Sequence, residues 1–195
     1  VNNSVLNEQT VNGPISIYGG YLDISQPLKS TGTGDVFIQS TDSSQSVGMN
    51  ISANILKTGG DRSALTLKCN SRITLGSSIT ATNTALDVVL WSDYGNSNTG
   101  GVQLGNSSTH SISTNGGHLW LGGSNSANGT RTWNGLTVGD GPSIAAVSSN
   151  WSALRFEATV TTGGGDVFIW AGDGYSTGSS GITVINTNAS INAGS

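Results

Sequence analysis

One phrase occurs four times in this chain: a threonine, a glycine-rich step, then a short run in which apolar side chains strictly alternate with others. The copies are Thr31-Gly32-Thr33-Gly34-Asp35-Val36-Phe37-Ile38, the looser Thr58-Gly59-Gly60-Asp61-Arg62-Ser63-Ala64-Leu65-Thr66-Leu67, Thr114-Asn115-Gly116-Gly117-His118-Leu119-Trp120-Leu121 and Thr162-Gly163-Gly164-Gly165-Asp166-Val167-Phe168-Ile169. A recurring phrase marks a repeat architecture, in which each copy is one structural unit stacked on its neighbours. Alternation of period two is the signature of a strand, because successive side chains point to opposite faces. A longer echo pairs residues 63–67 with 152–156 and residues 87–91 with 166–170, followed by Gly101-Val102-Gln103-Leu104 in one case and Gly181-Ile182-Thr183-Val184 in the other.

Further short strands are predicted at residues 15–18, 21–25, 49–55, 72–75, 79–81, 111–113, 136–138, 160–162 and 189–192, most of them bounded by Gly, Asn or Ser. Only two of the four Asn-Gly pairs, Asn115-Gly116 and Asn134-Gly135, lie between strands, so hairpins are few and stacking is favoured over a meander. The expected fold is all-β: a parallel right-handed β-helix, or β-solenoid, with roughly three short strands per coil. At about 20 to 30 residues per coil and about 4.8 Å per coil, it would form about seven to nine coils and a rod about 35 to 45 Å long. No linker or charge run divides residues 1–195, which read as one solenoid segment, expected to be an excerpt from a much longer protein.

Composition removes the competing classes. Gly, Ser, Thr and Asn number 29, 30, 22 and 19 of 195 residues, yet the β-branched and aromatic residues that disordered chains lack are plentiful. Strong helix formers are scarce and no window carries a helical apolar stripe. A net charge of −4, with seven scattered basic residues, offers no track for phosphates and argues against nucleic acid. No apolar run is long enough to span a membrane, and the single cysteine, Cys69, excludes a disulfide within the chain.

The alternation also assigns faces. With Asp35, Asp87, His118 and Asp166 outward, Val36, Ile38, Leu65, Leu67, Val88, Leu90, Leu119, Leu121, Leu154, Phe156, Val167 and Ile169 point inward, as does Cys69, which reads as a small buried hydrophobe. On this parity Leu90→Asp should be costly and Asp87→Asn nearly silent. The same parity places Phe37, Trp91, Trp120, Phe168 and Trp170 outward, where they form either a ligand surface or a floor covered by a long loop such as residues 122–135 with Trp133.

The threonine and glycine phrases, together with Leu86-Asp87-Val88-Val89-Leu90-Trp91-Ser92-Asp93 leading through a glycine-rich loop into Gly101-Val102-Gln103-Leu104, resemble the repeat region of filamentous haemagglutinin-type adhesins over about residues 31–195. These are very large bacterial surface or secreted proteins, often exported by two-partner secretion. The Asn-Pro-x-Gly motifs of that family's amino-terminal secretion domain are absent, so the resemblance corresponds to the shaft. It implies a non-enzymatic, β-helical structural segment at the bacterial outer membrane surface or outside the cell. The implied partners are a host or neighbouring-cell surface protein or glycan, together with end-to-end self-association of open coils. The alternative is a carbohydrate-binding or polysaccharide-cleaving β-helix such as a phage tailspike or lyase.

No catalytic, metal or cofactor site is assigned. Asp35, Asp87 and Asp166 share one outward place but stand 52 and 79 residues apart, more than one coil, so they are not expected in adjacent coils. Asp93, Asn96, Asn98 and Asp173 offer oxygens near glycines, but calcium needs six to eight oxygens and the nonapeptide of calcium-binding β-rolls is missing. His110 and His118 have no zinc-like spacing to Cys69. Gly174-Tyr175-Ser176-Thr177-Gly178 matches a nucleophile-elbow pattern, but no helix is predicted after it, and a loop is the simpler reading. Six Asn-x-Ser/Thr sequons, at Asn2, Asn50, Asn106, Asn128, Asn150 and Asn188, are about the number that composition alone produces.

Overall fold

The computed structural model describes residues 9–44, 47–105, 109–144, 152–172, 181–185 and 189–194. Strand β1 (Gln9–Val11) precedes six coils of three strands each. The first two coils are β2 (Ile15–Gly19), β3 (Leu22–Ile24) and β4 (Leu28–Ser30), then β5 (Val36–Ser40), β6 (Val47–Ile51) and β7 (Ile55–Lys57). The next two are β8 (Ser63–Cys69), β9 (Arg72–Leu75) and β10 (Ile79–Ala81), then β11 (Leu86–Trp91), β12 (Gly101–Leu104) and β13 (Ser111–Ser113). The fifth coil opens with β14 (Leu119–Gly122), is interrupted by the strands β15 (Thr130–Trp133) and β16 (Leu136–Gly139), and resumes with β17 (Leu154–Phe156) and β18 (Thr159–Thr161). The sixth is β19 (Val167–Ile169), β20 (Ile182–Val184) and β21 (Ser190–Asn192).

Strands at equivalent places in successive coils pair in parallel, giving three sheets. The first runs β2-β5-β8-β11-β14-β19, the second β3-β6-β9-β12-β17-β20, and the third β1-β4-β7-β10-β13-β18-β21. This is the expected right-handed parallel β-helix, and among the described residues it is all-β. All four copies of the repeated phrase lead into the first sheet, where Val36, Leu65, Leu119 and Val167 share one column with Val88. The echo of residues 63–67 in 152–156 is not positional, because the former lie in the first sheet and the latter enter the second.

Among the described residues there are six coils and one preceding strand, against the seven to nine expected for the chain, and at about 4.8 Å per coil these six measure roughly 29 Å. Ile15, Val36, Leu65, Val88, Leu119 and Val167 occupy the same place in turn, so successive coils take 21, 29, 23, 31 and 48 residues. The fifth is long because it carries the β15–β16 hairpin. A uniform coil length cannot anticipate an excursion of that size.

Inside the rod, parity stacks aliphatic side chains in continuous columns. Val36, Leu65, Val88, Leu119 and Val167 form one, Ile38, Leu67, Leu90, Leu121 and Ile169 the next. The third sheet contributes Leu28, Ile55, Ile79, Ile112 and Val160, and the column ends in Ile191, which is exposed at the last coil. Nearly all of these residues belong to one contiguous core, with Val167 and Ile169 partly buried against it. Each coil alone has too little apolar surface to fold; stacking supplies it from both sides. Lys57 breaks the apolar pattern, because its place in β7 points inward beside Ile55; it is buried and its Nζ donates to the Gly32 carbonyl. Burial lowers the pKa of that ammonium, a trend opposed by Asp61 and Asp35.

The glycines of the repeated phrase are explained by the approach of one coil to the next. A Cβ on Gly117 would lie 2.1 Å from the Leu86 carbonyl oxygen, and one on Gly165 would lie 1.9 Å from the Gly117 oxygen. Backbone meets backbone at this corner, so no side chain can swing aside. Gly117→Ala should therefore cost about 1–3 kcal/mol. Gly20→Ala, where a Cβ meets nothing within 4 Å, should leave the urea midpoint almost unchanged. Equal shifts in the two variants would contradict the close-approach account.

Candidate functional site

The outer face of the first sheet gathers the outward residues of β5, β8, β11, β14 and β19 into three columns. Asp35, Ala64, Asp87, His118 and Asp166 stand just before or at the start of the strands. Phe37, Thr66, Val89, Trp120 and Phe168 follow, and then Gln39, Lys68, Trp91 and Gly122, with Trp170 directly after β19.

Over the later coils of this face the chain builds a roof. After β14 it leaves the solenoid, pairs β15 with β16 in antiparallel register, and turns through Asn134-Gly135 with φ of 47° and 78°. Two consecutive positive φ values define the two-residue turn that Asn-Gly favours. Asn115-Gly116 adopts the same sign of φ but turns the corner between the third and first sheets instead of closing a hairpin. The roof brings Val138, Trp133 and Leu136 onto Val89, Trp91, Tyr94, Trp120 and Phe168, forming a second hydrophobic cluster outside the solenoid. Trp120 and Phe168 lie parallel with centroids 6.5 Å apart, and Trp133 is tilted on Phe168 at 5.8 Å. Cations close the edges: Lys68 Nζ sits 4.1 Å from the Trp91 ring centroid and 4.6 Å from that of Tyr94, and Arg131 spans Phe168 and Trp170 at 4.5 and 4.9 Å. These contacts combine ring quadrupole attraction with the apolar stems of the two side chains.

This roof divides the five aromatics read from the sequence. Trp120 is 0% exposed and Trp91 2%, its Nε1 donating to Ser124 Oγ at 2.9 Å, so neither presents a ring face to a ligand. Both form the floor of a covered cluster; Trp120 is sealed within it, and Trp91 reaches the surface only where it lines the groove between Phe37 and the hairpin tip. Phe168 and Trp170 are half-buried under Trp133 and Arg131. Phe37, two coils before Val89, lies beyond the roofed cluster and is half-buried, tilted against Tyr18 with centroids 5.7 Å apart. Tyr18, which sequence reasoning did not single out, is 65% exposed. Its place one residue out of step with the apolar alternation of β2 was the available signal.

Between Phe37 and the tip of the hairpin remains a groove of about 240 Å³. It is lined by Asp35, Phe37, Ala64, Thr66 and Trp91 on the sheet side and by Gly135, Leu136 and Thr137 on the hairpin side. The small side chain of Ala64 opens it, since the neighbouring places in that column hold Asp35 and Asp87.

The acids of the column act as links between coils. Asp35 Oδ1 accepts the Ala64 N–H at 2.8 Å, and Asp87 Oδ1 accepts the His118 N–H at 2.7 Å. His118 Nδ1 repeats the pattern, accepting the Asp166 N–H at 2.9 Å. The three acids thus do not occupy adjacent coils: Ala64 and His118 stand between them. Asp87 is also held by Arg62, through Nε at 2.8 Å and Nη2 at 2.6 Å, and is only 6% exposed. It is therefore not the solvated outward acid whose replacement by Asn would be silent.

Asp93 has a positive φ of 50° and sits buried in the loop after β11. Its carboxylate accepts the Ser97 N–H at 2.8 Å, the Ser97 hydroxyl at 3.0 Å and the Asn98 N–H at 3.2 Å, so its oxygens turn back into their own loop. Burial raises its pKa above the ordinary 3.8, although these hydrogen bonds pull the other way. A folded-state pKa above the unfolded one means that the native form binds the proton more tightly, and stability from this group is lost as pH rises through the raised value. Asp93→Asn should therefore gain on the parent protein in urea midpoint between about pH 3 and about pH 7. A gap that stays constant or moves the other way would contradict it. Asn is also at ease at positive φ.

Cys69 is buried as expected, and burial pushes its thiol pKa up, away from the reactive thiolate. Among the described residues no group of three or more His, Cys, Asp and Glu converges as a metal site, and no helix is long and apolar enough to cross a membrane. Asp173, the residues 174–178 around Ser176, and the sequons at Asn2, Asn106, Asn150 and Asn188 lie outside the described residues.

No family model, curated protein or solved structure matches this chain. The functional reading therefore rests on the residues and their geometry.

Proposed function

We propose that the chain is a non-enzymatic structural segment of a large bacterial cell-surface or secreted adhesin, a stiff β-helical shaft that also contributes to an adhesion surface. The observation that carries this reading is the unbroken stacking of aliphatic columns through six parallel coils. Such a rod is held along its axis by backbone hydrogen bonds between coils and laterally by the columns, and it lengthens by adding coils without changing its cross-section. Its acids support the same reading, because Asp35 and Asp87 bond the backbone of the following coil and do not converge on a shared cleft. The low charge and abundant hydroxyl and amide side chains suit a long fibre in an aqueous exterior.

The reading is tested by location. Antibodies raised against the chain should label intact, unpermeabilised producing cells or detect the antigen in their medium. Antigen released only by lysis would overturn the proposal. A carbohydrate-binding β-helix is favoured as a second reading by one observation, the groove beside Phe37.

A further inference from the structure

We propose that the groove between the hairpin tip and the face of β5 and β8 binds one uncharged pyranose ring of a glycan. This rests on the carbohydrate-binding reading, to which it gives a ligand class, and not on the shaft reading, since it concerns a site on the outer face and not the rod itself.

The chemistry of the lining selects the ligand class. Phe37 supplies an aromatic face in the lining, and the exposed Tyr18, tilted against it just outside the lining, extends that face; such faces hold the C–H side of a sugar ring. Polar groups able to read hydroxyls surround that face. Asp35 spends Oδ1 on the Ala64 N–H, while its Oδ2 has no hydrogen-bond partner among the described residues. The hydroxyls of Thr66 and Thr137, on opposite walls, make no hydrogen bond among the described residues either. An apolar partner would leave these groups without partners on desolvation, which disfavours a hydrophobic peptide.

Charge and size narrow the class further. No Lys or Arg lines the groove and its one ionisable group is an acid, so a uronate, sialate or phosphate would meet repulsion and no counter-charge. The cations around it are already engaged: Lys68 by Trp91, Tyr94 and Asn128, Arg62 by Asp87, and the buried Lys57 by the Gly32 carbonyl. At about 240 Å³ the groove lies below the usual range for drug-sized ligands, roughly 300–1,000 Å³, and suits a single ring with its chain leaving along the open side. Gly135 keeps that side open: at φ of 78° it favours glycine, and a Cβ there would meet nothing within 4 Å.

The test is saturation-transfer NMR on the whole chain with the methyl glycosides of glucose, galactose, mannose and glucuronic acid. At least one neutral glycoside should receive saturation at its ring C–H protons, and the glucuronide should not. Phe37→Ala and Tyr18→Ala should each weaken that binding about tenfold or more, whereas Tyr21→Ala, an exposed aromatic outside the groove, should leave it unchanged. Should Phe37→Ala lose its native near-ultraviolet circular dichroism, Tyr18→Ala decides, because that side chain is exposed. Absence of transfer to every neutral glycoside, equal binding of the glucuronide, or parent-like binding by Tyr18→Ala would overturn the proposal. None of these outcomes alters surface labelling, so this site and the shaft reading fail separately.

Discussion

Replacing Leu90 by Asp is expected to lower the free energy of unfolding by about 3 kcal/mol or more. Leu90 is fully buried in β11, between Leu67 of the preceding coil and Leu121 of the following one. A carboxyl group there meets aliphatic carbon on both sides and enters a column with no donor to receive it. The residue three places earlier provides the comparison. Asp87→Asn keeps an oxygen for the His118 N–H but loses the charge that holds Arg62, a partly exposed partner, and should cost only about 1–2 kcal/mol. Urea titrations of both variants check the pair. Equal losses would mean that the inward and outward assignment of β11 is wrong.

Trp120→Ala is the second large effect, about 3–5 kcal/mol. The ring is wholly buried, lies parallel to Phe168, and belongs to the cluster that the hairpin covers with Val138, Trp133 and Leu136. Its removal takes away the largest fully buried side chain among the described residues and leaves the roof without its central support. Two readouts should move together: a lower unfolding midpoint, and faster hydrogen exchange in β15 and β16 than in β8 and β9. A two-stranded hairpin is marginal without a surface to pack on, which is why the loss should appear there first. A loss below about 1 kcal/mol with a protected hairpin would show that the roof is held by its own turn and edge cations instead.

Trp120 and Phe37 also show how far a sequence can be read. Both occupy the same column of the same sheet, and both are outward by parity. One is sealed and the other borders a groove, and the difference comes from where residues 122–141 happen to lie. The turn itself was visible, since Asn134-Gly135 is a strong hairpin signal, but its resting place was not. Asp87 teaches the same lesson for charge: its outward place was legible, whereas the salt bridge with Arg62, 25 residues earlier, depends on coil register. Lys57 escaped notice because its inward place follows from the parity of β7, a strand that sequence analysis merged with β6.

The sequence by itself determined the local pattern: period-two strands, glycines where coils touch, and aliphatic residues on one face. These are properties of neighbouring residues, governed by backbone geometry and side-chain alternation, and they were enough to specify a parallel solenoid and the residues of its core. Tertiary structure alone decided how many coils the chain makes, which aromatics the hairpin covers, and which groups share the groove. Those outcomes depend on coil lengths of 21 to 48 residues, and no local rule sets the distance a connecting segment travels before it rejoins the sheet.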